Sequence, residues 1–175
     1  MTLCLTGFMG CGKSSVGREL SRLLCCPFMD LDDVIVEREG RSIPEIFASE
    51  GEAAFRKMEL EALQEIIGKM SDVAVLALGG GTVMTKECAD LVNERTLCIY
   101  LRASADTLVS HLSDESDGRP MLQGDLRSRI EELMEKRSAT YEKTAHIIID
   151  TDGRSIEDIA GEIRRTDVTP VLRGL

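Results

Sequence analysis

The chain has 175 residues, with 31 acidic and 21 basic side chains and a net charge of −10. That length suits one domain with a sizeable core rather than two independent ones, and the acidic excess argues against nucleic acid as a partner, since no basic concentration offsets it. The start, MTLCLTGF, has no basic region or long apolar run, and no window approaches the roughly eighteen apolar residues of a membrane span, so a cytoplasmic protein with no membrane partner is expected.

The first predicted strand, Thr2 to Thr6, runs directly into Gly7 to Ser14, GFMGCGKS. This is the G-x-x-x-x-G-K-S phosphate-binding pattern, placed between a strand and a helix as its physics requires. Glycines let the backbone curl so that successive amides point inward, and the helix N-terminus adds partial positive charge where phosphates lie. In such a loop Lys13 reaches the β- and γ-phosphates and the Ser14 hydroxyl ligates Mg²⁺. The expected ATP contacts are Gly10, Cys11, Gly12, Lys13, Ser14 and Ser15. Cys11 sits beside the helix N-terminus, which can depress a thiol pKa, so its alkylation is expected to block nucleotide binding. Val16, Leu20, Leu23 and Leu24 follow at helical spacing and anchor the loop on a rigid element.

A second strand, Pro27 to Asp30, ends in Phe28-Met29-Asp30-Leu31-Asp32-Asp33. Alternate residues of a strand point to one side, so Asp30 and Asp32 can converge at its carboxyl end, where ligands of α/β sheets bind; acidic residues at a strand exit also serve as helix caps. Residues 32 to 69 are helical in pattern, with Ile43-Pro44-Glu45 as a helix start and Gly51 as a break, and form an insert suited to substrate binding. The third strand, Val73 to Leu78, runs into Gly79-Gly80-Gly81. Three glycines let a substrate approach the backbone closely, although a flexible turn is also open. Many phosphate-loop ATPases end this strand with an acidic residue; here metal placement falls to Ser14 and Asp30.

A fourth strand is expected at Leu97 to Leu101 and a fifth at His146 to Asp150, with a polar, turn-rich segment, residues 113 to 125, between them that reads as a flap or a structural loop. Alternating strands and helices with nearly continuous apolar strands such as VAVLAL predict a parallel sheet covered on both faces. The six cysteines form no C-x-x-C pair and, with only His111 and His146 beside them, no zinc pattern, which fits a reducing compartment.

Taken together, LTGFMGCGKSSVGREL, FMDLDDVIVE, IFASEGEAAFRKME, LALGGGTV, GRPML and RSATYEKTAHIIIDT resemble the shikimate kinase family in order and spacing, over roughly Thr2 to Glu162. The resemblance implies a three-layer α/β fold of the nucleoside-monophosphate-kinase type, a single domain with five parallel strands in the order 2-3-1-4-5, a helical substrate-binding insert at about 32 to 69 and a lid at about 113 to 125. It implies transfer of the ATP γ-phosphoryl group to the 3-hydroxyl of shikimate, with Mg²⁺, by a monomer. Lys13, Asp32 and Arg119 would be catalytic, with Asp32 holding the shikimate hydroxyls and acting as base. Asp30 would assist Ser14 with the metal. Arg56 and Arg137 would bind the substrate carboxylate, Gly79, Gly80 and Gly81 would supply backbone donors, and Glu59 would orient Arg56 as a helical neighbour. A guanidinium fork suits a carboxylate because it donates two parallel hydrogen bonds. Arg119, in Gly118-Arg119-Pro120, resembles the lid arginine that closes on the phosphates, and Arg154 is placed near the nucleotide from the last loop. One position departs from the pattern: His111 stands where relatives often carry an arginine that covers adenine, and either stacks on the base or caps its helix.

Rival readings are another small-molecule kinase on the same scaffold, a GTP-binding switch, and a silent nucleotide-binding regulator. The switch would need a guanine-specifying N-K-x-D, whereas the only asparagine, Asn93, is followed by Glu94-Arg95-Thr96.

Overall fold

The computed structural model describes residues 1–70, 72–113 and 125–166. Its elements are β1 (Thr2–Thr6), α1 (Lys13–Leu24), β2 (Phe28–Asp30), α2 (Leu31–Glu39), α3 (Ile43–Lys69), β3 (Ala74–Ala77), a 3-10 turn (Thr82–Met84), α4 (Lys86–Arg95), β4 (Leu97–Arg102), α5 (Ala105–Ser113), α6 (Leu126–Thr144), β5 (Ile147–Asp150) and α7 (Ile156–Arg165). The strands form one parallel sheet in the order β2-β3-β1-β4-β5, as expected.

Strand order and handedness place the helices. The crossover from β1 to β2 runs in the opposite direction along the sheet from those leading β2 to β3, β3 to β4 and β4 to β5. Right-handed crossovers therefore put α1 on one face and α3, α4 and α6 on the other. The packing agrees: α7 lies against α1, while α4 touches both α3 and α6. The chain leaves β1 for one face and its neighbour β3 for the other, and the crevice opened between their carboxyl ends is where ligands of such sheets bind.

Every residue of β1 and β3 is buried, as sheets covered on both sides require. Leu5, Leu76 and Ile99 are fully enclosed, and burial of side chains of this size stabilises the fold by about 1.5–3 kcal/mol each. On α1, Val16 and Leu20 are buried, and on α7 Ile159 and Ile163.

The insert starts and breaks where its residues dictate. The Ser42 hydroxyl accepts from the Glu45 amide, and the Glu45 carboxylate accepts from the Ser42 amide at 2.7 Å, a reciprocal cap worth about 1 kcal/mol. Gly51 interrupts α3 with φ 81° and ψ 177°, a conformation open essentially to glycine alone. Arg41 ties the corner before it, pairing with Glu50 at 2.6 Å and Glu39 at 3.1 Å. No helix among the described residues is long and apolar enough to cross a membrane.

Candidate active site

The loop between β1 and α1 curls as its glycines allow, and Lys13 folds over it. Lys13 Nζ donates to the carbonyls of Gly7 at 3.0 Å and Phe8 at 2.9 Å. Gly10, Gly12, Lys13, Ser14 and Ser15 line a cavity of about 300 Å³ with Asp30, Asp32, Gly79 and Gly80. The Ser14 hydroxyl donates to Asp30 Oδ2 at 2.6 Å, while Asp30 Oδ1 accepts from the Asp32 amide at 3.1 Å. Asp30 is thus the N-cap of α2 and the partner of the loop serine at once.

The two aspartates converge for a different reason from the one expected. β2 stops at Asp30, and Asp32 lies in the first turn of α2. Strand alternation therefore does not align them; the cap turns the chain so that both carboxylates face the loop. Asp32 is crowded there. Burial, then the neighbouring Asp30 and Glu59 carboxylates, push its pKa up to about 6 against the partial offset of Lys13.

A second cavity, about 470 Å³, opens between the sheet edge and the insert. Arg56, Arg137, Asp32 and Gly79 to Gly81 lie in its wall together with the apolar side chains of Val36, Ile43, Pro44, Phe47 and Phe55. Those apolar side chains carried no sequence signal of function; their i, i+3, i+4 spacing matches any buried helix face. The rings of Phe47 and Phe55 pack with centroids 4.9 Å apart.

Arg56 is held by α3 itself. Its Nη1 donates to Glu59 Oε2 at 2.5 Å, and Glu59, with 1% of its surface exposed, also accepts from the Thr82 hydroxyl at 2.7 Å. Glu59 orients Arg56 as the helical spacing suggested, and Thr82, missed in the sequence, locks Glu59 in turn. Two of the three glycines leave room for these side chains. A Cβ at Gly79 would stand 2.9 Å from Asp32 Oδ1, and one at Gly81 would stand 2.5 Å from Arg56 Nη2. From α6, Arg137 Nη1 donates to the Gly80 carbonyl at 3.4 Å, and the buried Tyr141 hydroxyl donates to the same oxygen. Tyr141 stands four residues after Arg137, so one helix face presents both.

A third cavity, about 370 Å³, adjoins α5 and the loop after β5, with His111, Thr107 and Arg154 in its wall. Arg154 Nη1 donates to the Asp150 carbonyl at 3.0 Å, and its guanidinium pairs with Glu162 at 2.5 Å. His111 neither caps α5 nor stands free: its Nδ1 is bonded to the Gly10 carbonyl at 2.8 Å. Cys11 lines none of these cavities. Its amide donates to the Phe8 carbonyl at 3.2 Å and its thiol is buried, and burial pushes the thiol pKa up, outweighing Lys13. The expected depression of that thiol is therefore corrected. Arg119 and residues 114–124 of the expected lid lie outside the described residues.

The family model described as shikimate kinase matches residues 9–167. A shikimate kinase of Thermus thermophilus is 47% identical over 160 residues, covering 91% of this chain and 85% of the relative. Among solved structures, a shikimate kinase from Acinetobacter baumannii in complex with shikimate superposes with a TM-score of 0.87 at 30% identity, covering 99% of this chain and 93% of that one. A shikimate kinase from Aquifex aeolicus gives 0.80 at 35% identity, with 94% of each chain covered.

Proposed function

The chain belongs to the shikimate kinase family, whose reaction is ATP-dependent phosphorylation of the shikimate 3-hydroxyl to 3-phosphoshikimate and ADP, and we infer that its residues divide that work as follows. One observation carries the reading. The loop cavity and the insert cavity share Met9, Asp32, Gly79 and Gly80, so a phosphate held by the loop and an acceptor held by the insert meet at one carboxylate.

Gly10 and Gly12 to Ser15 hold the ATP phosphates, while Cys11, outside that cavity with its amide bonded to Phe8, shapes the loop rather than touching the anion, and Lys13 leaves its loop carbonyls for the β- and γ-oxygens. Arg56 and Arg137 grip the shikimate carboxylate, Gly79 to Gly81 approach the ring, and the apolar wall covers its carbon face. Asp32 accepts the proton of the attacking hydroxyl; a base with a pKa near 6 is largely ionised at neutral pH yet basic enough to take a proton as transfer proceeds. Ser14 and Asp30, hard oxygen donors in contact, suit Mg²⁺. Both are oxygen donors of the kind Mg²⁺ takes, one or two at a time, from a protein. A metal held by these two residues would supply neutralisation of charge on the transferring phosphates. Arg119 supplies a further cation from the lid, residues 113 to 125, whose closure excludes water and so limits ATP hydrolysis. Arg154, engaged by Glu162, borders the nucleotide through its stem. We read the chain as one kinase domain, with residues 32 to 69 as acceptor-binding insert, acting as a cytoplasmic monomer.

The test is ADP release with Mg·ATP, with and without shikimate, joined to mass detection of the phosphorylated acid. Shikimate-dependent release with the matching product supports the reading; ATP binding without stimulation overturns it. In the same assay Arg56→Ala should raise the shikimate KM by roughly tenfold or more, whereas Arg119→Ala should mainly lower kcat, by about a hundredfold. The reverse pattern rejects both roles.

A further inference from the structure

Two adjacent residues at the carboxyl end of α5 hold the phosphate loop by contacts that the roles above do not use. His111 Nδ1 lies 2.8 Å from the Gly10 carbonyl oxygen, 101 residues away in sequence. A carbonyl oxygen only accepts, so the imidazole donates and the hydrogen sits on Nδ1. The next residue, Leu112, is fully buried, and its branched end fills the space beside the Gly10 α-carbon: a Cβ there would meet Leu112 Cγ and Cδ2 at 2.8 Å each. Gly10 has φ 79°, within the left-handed region.

That grip fixes a peptide plane. In a trans peptide the carbonyl and the following amide point in opposite directions, so the bond from His111 to the Gly10 oxygen and the bond from the Cys11 N–H to the Phe8 carbonyl, at 3.2 Å, hold one plane from its two edges. The matter is electrostatic, because Gly10 lines the phosphate cavity. A glycine peptide rotates easily, and a carbonyl turned into that cavity would set a negative dipole end against the anion it must receive.

We propose that His111 is a positioning residue for the phosphate loop: its Nδ1–H holds the Gly10 carbonyl out of the phosphate cavity and keeps the loop ready for a polyphosphate. This rests on the reading of that cavity as the ATP phosphate site. His111 also borders the cavity next to α5, so the competing role is direct contact with the nucleotide base.

Calorimetric titration with Mg·ATP and with Mg·tripolyphosphate, which has phosphates but no base, separates the two roles. His111→Leu removes the donor, His111→Asn keeps a donor near the place of Nδ1, and His111→Gln keeps one near Nε2. Loss of one hydrogen bond at the loop should weaken both ligands by about five- to tenfold in the Leu variant. The Asn variant should recover most of that loss and the Gln variant little of it. Shikimate titration of the Leu variant should give the wild-type affinity, which shows the chain folded; His111 is exposed, so no core is disturbed. Unchanged tripolyphosphate binding alongside weakened ATP binding, or rescue by Gln rather than Asn, would overturn the proposal in favour of base contact. A wild-type protein that binds neither ligand would remove the ATP reading itself.

Discussion

Glu59 joins Arg56 to the 3-10 turn after β3: one carboxylate oxygen accepts from the arginine at 2.5 Å and the other from Thr82 at 2.7 Å, with the acid almost wholly out of solvent. The arginine that faces the acceptor cavity is therefore aimed by a buried group that α3 and the 3-10 turn hold between them.

Glu59→Gln keeps the bond to Thr82 but sets an amide against the guanidinium. We expect a rise of about tenfold in the shikimate KM with little change in that for ATP, and a loss of roughly 1–3 kcal/mol in unfolding free energy. An unchanged shikimate KM in a destabilised variant would reduce Glu59 to a structural role.

Asp32 should impose opposite demands on activity and stability. Its folded pKa, about 6, lies above the ordinary 3.8, so between these values the folded chain keeps a proton that the unfolded chain has released, and stability falls as pH rises through that window. Asp32→Asn should thus be more stable than wild type above pH 6, by roughly 1–3 kcal/mol, with the gap closing toward pH 4. Its kcat should fall by about 10²–10⁴. Paired pH profiles of denaturant midpoint and turnover check both, and a less stable Asn variant at neutral pH would reject the argument.

His146 contributes the opposite dependence. Its Nδ1 accepts the Cys98 amide at 3.0 Å while its own amide donates to the Cys98 carbonyl at 2.8 Å, and burial lowers its pKa from 6.5. The unfolded chain then takes up this proton first, so the stabilisation is complete above about pH 6.5 and drains away as pH falls toward the folded value. His146→Gln, which retains an acceptor but does not titrate, should flatten the stability profile relative to wild type as pH falls below 6.5.

The cysteines should react in order of access. Cys25 is exposed and Cys26 partly so, while Cys11 is buried with its pKa raised. Maleimide at neutral pH, followed by peptide mapping, should mark Cys25 well before Cys11, and nucleotide binding should survive that labelling. Early modification of Cys11 would show the loop opening far more than this packing permits.

Strand positions were legible because buried parallel strands need unbroken apolar runs, and Leu3-Cys4-Leu5 and Ala74-Val75-Leu76-Ala77 provide them. The loop was legible because its chemistry is local: Gly7 to Ser14 do their work within one turn of chain. Asp30 was legible in identity but not in geometry, since a strand exit and a helix cap write the same residue. Tyr141, Thr82 and the bond from His111 to Gly10 were not legible. Each joins elements tens of residues apart, and a hydroxyl or an imidazole on a helix carries no local mark of the carbonyl or carboxylate it will meet.

The break at Gly51 divides the helical lining of the acceptor cavity between two segments of α3, joined by the packed rings of Phe47 and Phe55. Phe47 and Ile43 ride on the first, Arg56 and Glu59 on the second. The part of the wall carried by Ile43, Pro44 and Phe47 can therefore be recut for a bulkier or flatter ring while Phe55, packed on Phe47, stays in place beside Arg56 and its Glu59 anchor, which makes residues 43 to 50 the place to begin redesigning what this scaffold phosphorylates.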